Sequence, residues 1–143
     1  GDELMSISPA LRLQVRVRDR GRCAYCHSTE YNSGQAMHID HIVPESAGGP
    51  TLPGNLCQVC FACNVHKAAK QYSIDPQTRI EVALFHPLRQ HWTDHFGWDE
   101  SGTLILGKTA CGRATVEALR MNNWIVVQAR RRWVSAGWHP PID

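Results

Sequence analysis

HIDHIVPESAGGPTLPGNLCQVCFACNVHK, residues 38–67, places an Asp-His pair, a glycine-rich loop, an Asn-Leu pair and a cysteine knuckle ending in Asn64 within thirty residues. No packing requirement produces that order. The apolar-polar text before Pro44 predicts a short strand over about 36–43, because Pro44 cannot donate to a ladder and ends it. Residues 45–54 hold three glycines and two prolines, which predicts an ordered loop without helix or strand. The chain then returns as a second strand over 55–59, and residues from Cys63 through Lys70 read as a helix.

The cysteines extend this unit towards the N-terminus. Cys23 and Cys26 form one Cys-x-x-Cys pair and Cys60 and Cys63 another, the arrangement of a structural zinc site. Spacing alone is ambiguous, since Cys57 and Cys60 are also a Cys-x-x-Cys pair. A tetrahedron closed on four thiolates has no open coordination position, so such a zinc holds structure and performs no chemistry. The paired spacing favours metal over disulfides in a chain with six cysteines.

These residues together resemble the HNH nuclease motif, a two-stranded hairpin followed by a helix in the ββα-metal fold. The match runs through Ile39, Asp40, His41, Ile42, Val43 and Pro44, the Gly48-Gly49 loop, Asn55-Leu56, and then Cys60, Cys63, Asn64 and Lys67. The resemblance selects Cys60 and Cys63 as the second zinc pair and leaves Cys57 and Cys111 as plain thiols. It implies His41 as general base, Asp40 as first ligand of a catalytic cation, and Asn64 as second ligand, where many relatives carry His. Asn55 is then the residue that holds the His41 loop and fixes the imidazole by hydrogen bonding. An Asp/Asn oxygen set suits Mg²⁺ or Mn²⁺ better than catalytic zinc. The activity implied is a metal-dependent DNA endonuclease acting on double-stranded DNA, with RNA as the second substrate class. The competing readings are a non-catalytic zinc-ribbon-like nucleic-acid-binding module and the nuclease subunit of a larger defence complex with a protein partner.

Length and charge set the frame. The expectation for 143 residues is one α+β domain, 1–143, with the zinc-stapled core at 8–70 and a mixed C-terminal extension at 71–143 packed on it. A formal net charge of +2 does not by itself announce a nucleic-acid binder. Basic residues are nonetheless clustered, and Lys67, Arg130, Arg131 and Arg132 are the expected phosphate contacts. No apolar run approaches membrane length and no secretory leader layout opens the chain, which reads as a cytoplasmic protein without membrane contact.

Outside the motif, residues 1–7 read as a loose tail and Ser8-Pro9 as a helix start. Leu11, Leu13, Val15 and Val17 alternate like a strand, whereas Ile7, Leu11 and Val15 make a four-residue helical stripe, and we expect the helix. In the extension, Arg79–Phe85 reads as a strand, and Leu88, Trp92 and Phe96 as a helical stripe. Thr103–Leu106 reads as a strand pairing around Trp98. Two helices follow, at 109–121 and from Asn123 to about Ala136. His91 and His95 share a face if that stretch is helical, a weak transition-metal pattern with no convincing third ligand.

Overall fold

The structure, a computed structural model, describes residues 7–142. The expected loose tail lies outside these residues, Ile7 excepted, and Ile7 is buried. Helix α1, Pro9–Arg18, starts at Ser8, whose side chain accepts a hydrogen bond from the Leu11 N–H. Of its four alternating apolar residues, Leu13 and Val17 are 59% and 69% exposed. The buried set is the four-spaced stripe, and Ile7, Leu11 and Val15 pack on Ile39 and Leu56 of the hairpin. The helical period decided the element because only that stripe meets an apolar neighbour.

The hairpin is β1, His38–His41, antiparallel to β2, Leu56–Val59, with Asp40 opposite Cys57 and His41 opposite Leu56. Both strands are shorter than expected. The loop between them holds two 3₁₀ turns, Glu45–Ala47 and Pro53–Asn55. Gly49 is required within it: a Cβ there would sit 1.7 Å from the Val43 carbonyl oxygen. Arg18 and Asp19 pin α1 to β2. Arg18 donates to the carbonyls of Pro53 and Leu56, and Asp19 accepts from the Gln58 N–H at 2.7 Å. A short helix α2, Glu30–Ser33, lies between the first cysteine pair and the hairpin.

Helix α3, Phe61–Lys67, begins earlier than the expected Cys63, because the Cys60 sulfur serves as its N-cap and accepts from the Cys63 N–H. It also ends earlier, at Lys67 rather than Lys70, where Ala68 takes positive φ. Hairpin, cysteine pairs and helix form the ββα unit of an α+β fold.

The extension adds two hairpins and three helices. Strands β3, Tyr72–Ile74, and β4, Glu81–Ala83, pair antiparallel. The strand expected over Arg79–Phe85 is cut short because Arg79 takes positive φ in the preceding turn, while Leu84 and Phe85 leave for the core. That turn is organised by Asp75, whose carboxylate accepts from Arg113 Nε and Nη2 at 2.9 and 3.0 Å and from Thr78 Oγ1 at 2.7 Å. The expected helix around Leu88–Phe96 is only α4, Trp92–His95. Phe96 instead opens β5, Phe96–Trp98, which pairs with β6, Ile105–Gly107. The four-residue spacing reflects three separate elements turning apolar residues into one core.

Helix α5, Ala110–Ala118, lies on the β5/β6 hairpin, and Gly112 permits that approach, since a Cβ there would meet the His95 carbonyl at 2.1 Å. Helix α6, Trp124–Ser135, is capped by the Asn123 side chain and followed by Gly137 at φ +79°. One apolar cluster joins the two halves, with Cys23, Tyr25, Ile42 and Val59 beside Phe85, Phe96, Ile105 and Leu119. Trp92 Nε1 also donates to the Tyr25 carbonyl at 2.7 Å. Among the described residues no helix is long and apolar enough to cross a membrane.

Candidate active site and metal centre

The thiols of Cys23, Cys26, Cys60 and Cys63 all lie within 4.8 Å of one another. The Cys26 and Cys60 sulfurs are 3.7 Å apart. Tetrahedral zinc with Zn–S bonds of ~2.3 Å requires S···S separations of about 3.8 Å, so this donor set fits the ion. Burial first, then hydrogen bonding to the neighbouring thiols, raises the Cys23 pKa, while hydrogen bonds from Cys23, Cys60 and Cys63 lower that of Cys26. Three of these thiols are buried and Cys60 is half-buried, so the four could not all ionise together without a cation among them. Cys57 stands outside the group on β2, its pKa raised by burial and by Asp40. None of the six cysteines forms a disulfide. The spacing ambiguity therefore resolves to Cys60 and Cys63.

Arg130 faces this centre from the extension. We expected it on a phosphate-binding surface with Arg131 and Arg132, and that expectation is corrected: Arg130 is 0% exposed. Its Nη1 donates to the Thr103 carbonyl at 2.9 Å and to Asn122 Oδ1 at 3.1 Å, and its Nη2 to the Met121 carbonyl at 2.6 Å. The guanidinium lies 5.3 Å from the Trp98 ring centre. Burial lowers its pKa, and the charges of Cys26, Cys63 and Cys60 pull it back up. The three-arginine run failed as a surface signal because one residue in three on a helix turns inward. Arg131 and Arg132 are exposed.

The second constellation sits at the end of β1. Asp40 and His41 are both buried, and each falls on a different face of the strand. The Asn55 side chain staples the loop: its Oδ1 accepts from the Val43 N–H at 2.9 Å, and its Nδ2 donates to the carbonyls of Val43 and Pro50. Asn55 holds backbone, and the imidazole has another partner. His41 Nε2 lies 2.9 Å from Thr51 Oγ1 and 3.9 Å from Glu45 Oε1. Thr51 was missed by sequence reading, and its place in a proline-rich loop gave no signal for it.

Lys67 also departs from expectation. It does not face outward to phosphate but is 2% exposed, its Nζ 2.9 Å from Asp40 Oδ2. Asn64 lies one helical turn before Lys67 on α3. A carboxylate and an amide oxygen are hard donors, so the residues fit a Mg²⁺- or Mn²⁺-type cation. Tyr25 is another neighbour the sequence did not single out. It is fully buried, and its pKa is raised by burial, then by Cys57 and Asp40.

The other histidines divide differently. His38 is exposed with its ring 6.0 Å from Phe61, and His27 stacks on Trp92 at 4.2 Å. His91 caps α4 rather than sharing a helical face with His95, whose ring nitrogens contact Thr109 Oγ1 at 2.7 Å and Gln90 at 3.3 Å. Among the described residues they form no metal-ligand cluster, which the four cysteines alone do.

Residues 23–70 match the HNH endonuclease family. The matched segment contains both cysteine pairs, the hairpin and α3. No curated protein and no solved structure matches the chain.

Proposed function

We propose that the protein is a metal-dependent endonuclease that hydrolyses phosphodiester bonds in double-stranded DNA, with His41 as general base and Asp40 and Asn64 as ligands of one Mg²⁺ or Mn²⁺. The observation that carries this reading is the hairpin end, where a buried Asp-His pair is held by an Asn55-stapled loop, with Asn64 on the helix α3 that follows the hairpin. Hydrolysis requires a deprotonated water, relief of charge on the pentavalent phosphate, and help for the departing 3′ oxygen. In the tautomer that donates Nε2–H to Thr51 Oγ1, His41 Nδ1 is the bare nitrogen that accepts the proton of the attacking water. As the water oxygen bonds to phosphorus, the P–O3′ bond breaks and the 3′ oxygen is protonated from solvent. The cation, when bound, supplies Lewis-acid charge to the phosphate and leaving oxygens.

Asn55 keeps the backbone under His41 in place, which is a positioning role. Four-cysteine zinc fixes where α3 begins relative to the hairpin and so sets Asn64 against Asp40. A cytoplasmic setting, with RNA or a protein partner as alternatives to free DNA, accompanies the proposal. The test is incubation of zinc-loaded protein with supercoiled DNA, linear DNA and RNA in Mg²⁺, Mn²⁺ or EDTA. Nicked or linear product from supercoiled DNA in Mg²⁺ or Mn²⁺ and none in EDTA supports the assignment. Tight DNA binding without cleavage under every cation makes the protein a binding module instead.

A further inference from the structure

Lys67 has no role in the chemistry above, yet it is among the most deeply buried charged side chains described. A lysine ammonium has three donor hydrogens. Here Nζ pairs ionically with Asp40 Oδ2 at 2.9 Å and donates to the carbonyls of His41 and Ile42 at 3.3 Å each. Those acceptors are the side chain of one proposed site residue, the backbone of the other and the next residue along. An isolated buried carboxylate or ammonium is costly, and each is tolerated here because the other is present. The cradle is specific, because α3 delivers the ammonium from Lys67 to the end of β1, between the side chain of Asp40 and the carbonyls of the next two residues.

We propose that Lys67 is a resident cation of the active site, a positioning residue that neutralises Asp40 and fixes the end of β1 before any divalent ion arrives. The inference rests on Asp40 being the metal-ligating carboxylate. Its consequence is that a divalent ion binds a carboxylate already compensated by a positive charge, so affinity for the ion is held down and the site accommodates one such ion. Removing the ammonium leaves Asp40 uncompensated, which weakens the metal-free fold and strengthens the pull on a cation. A merely structural lysine predicts the opposite sign: its loss would loosen the strand end and weaken cation binding.

The experiment titrates Mn²⁺ alone into zinc-loaded wild type, Lys67→Met, Lys67→Gln, Lys67→Arg and Asp40→Asn, by calorimetry and by electron paramagnetic resonance of free Mn²⁺. Melting is followed with and without Mn²⁺. Lys67→Met or Lys67→Gln should bind Mn²⁺ at least about tenfold more tightly, since a unit charge so close to a dication is strongly repulsive. Both should melt below wild type when zinc-loaded without Mn²⁺ and recover in saturating Mn²⁺, and Lys67→Arg should keep the weaker wild-type affinity. Binding by a neutral variant where wild type shows none would also support the proposal. Unchanged or weaker Mn²⁺ affinity in the neutral variants, or no binding by any variant, overturns it. The reading of Asp40 as ligand fails separately, if Asp40→Asn binds Mn²⁺ as wild type does.

Discussion

Replacing Arg130 by Met removes a guanidinium from the core and leaves the Thr103 and Met121 carbonyls without their donor. Asn122 Oδ1 keeps its bond from the Ile105 N–H, so it is not orphaned. A buried acceptor left unpaired costs ~1–3 kcal/mol, which sets roughly 2–6 kcal/mol for the two carbonyls. Removing a desolvated charge offsets part of this, because an apolar side chain of similar volume is easier to bury. We therefore predict a net loss of about 3 kcal/mol, and for a chain of this length a melting temperature lower by roughly 10 °C. Arg131→Ala and Arg132→Ala, both at exposed positions, should each change stability by less than ~0.5 kcal/mol. The assay is urea and thermal unfolding of zinc-loaded protein followed by far-UV dichroism and tryptophan fluorescence. If these two exposed arginines contact phosphate, their joint removal reduces the salt slope of DNA binding by about 2 log units. A triple Arg130/Arg131/Arg132 variant would mix the two effects. Arg130→Met melting within about 2 °C of wild type would refute the reasoning.

Cys63→Ser should lose bound zinc and cooperative melting together, whereas Cys57→Ala should keep one zinc, as metal analysis beside calorimetry would report; zinc loss only in the Cys57 variant would contradict the cluster. Asn55→Ala removes three hydrogen bonds across the His41 loop and should cost about 2–3 kcal/mol in urea unfolding. Its single-turnover cleavage should fall as well, and a loop indifferent to the change would show neither loss. Asp75 is held well below the usual carboxylate range, chiefly by its hydrogen bonds from Arg113. Its stabilisation is therefore fully present above the ordinary carboxylate pKa near 4 and fades as pH falls through the lower folded value. Asp75→Asn should narrow the stability gap between pH 7 and pH 3 relative to wild type, and an equal gap would remove the pair as a cause.

The core was legible because its residues are tied to positions by chemistry. Four clustered cysteines, Gly49 under a carbonyl and Asn55 across a loop each answer to a specific demand of chemistry or space, so their order is readable as text. The α1 stripe was legible for a different reason, a period that matches the one apolar neighbour available to it. Lys67 and Arg130 misled because charge normally marks surface, and only the tertiary structure supplies the oxygens that make burial tolerable. The extension failed where local pattern and tertiary role part company. Leu88, Trp92 and Phe96 look helical, but they converge from a turn, a four-residue helix and a strand. Thr51 left no trace, since a threonine near two prolines is ordinary loop sequence until an imidazole is seen against it.

The most direct test of the account is single-turnover cleavage of supercoiled DNA by His41→Ala, run in saturating Mg²⁺ on protein shown to retain its zinc, its melting transition and its Mn²⁺ affinity. The account predicts loss of cleavage by at least about a hundredfold, the low end of what a positioned general base contributes, with no recovery at higher Mg²⁺. Cleavage at the wild-type rate by that folded, metal-loaded variant would show that His41 is not the base.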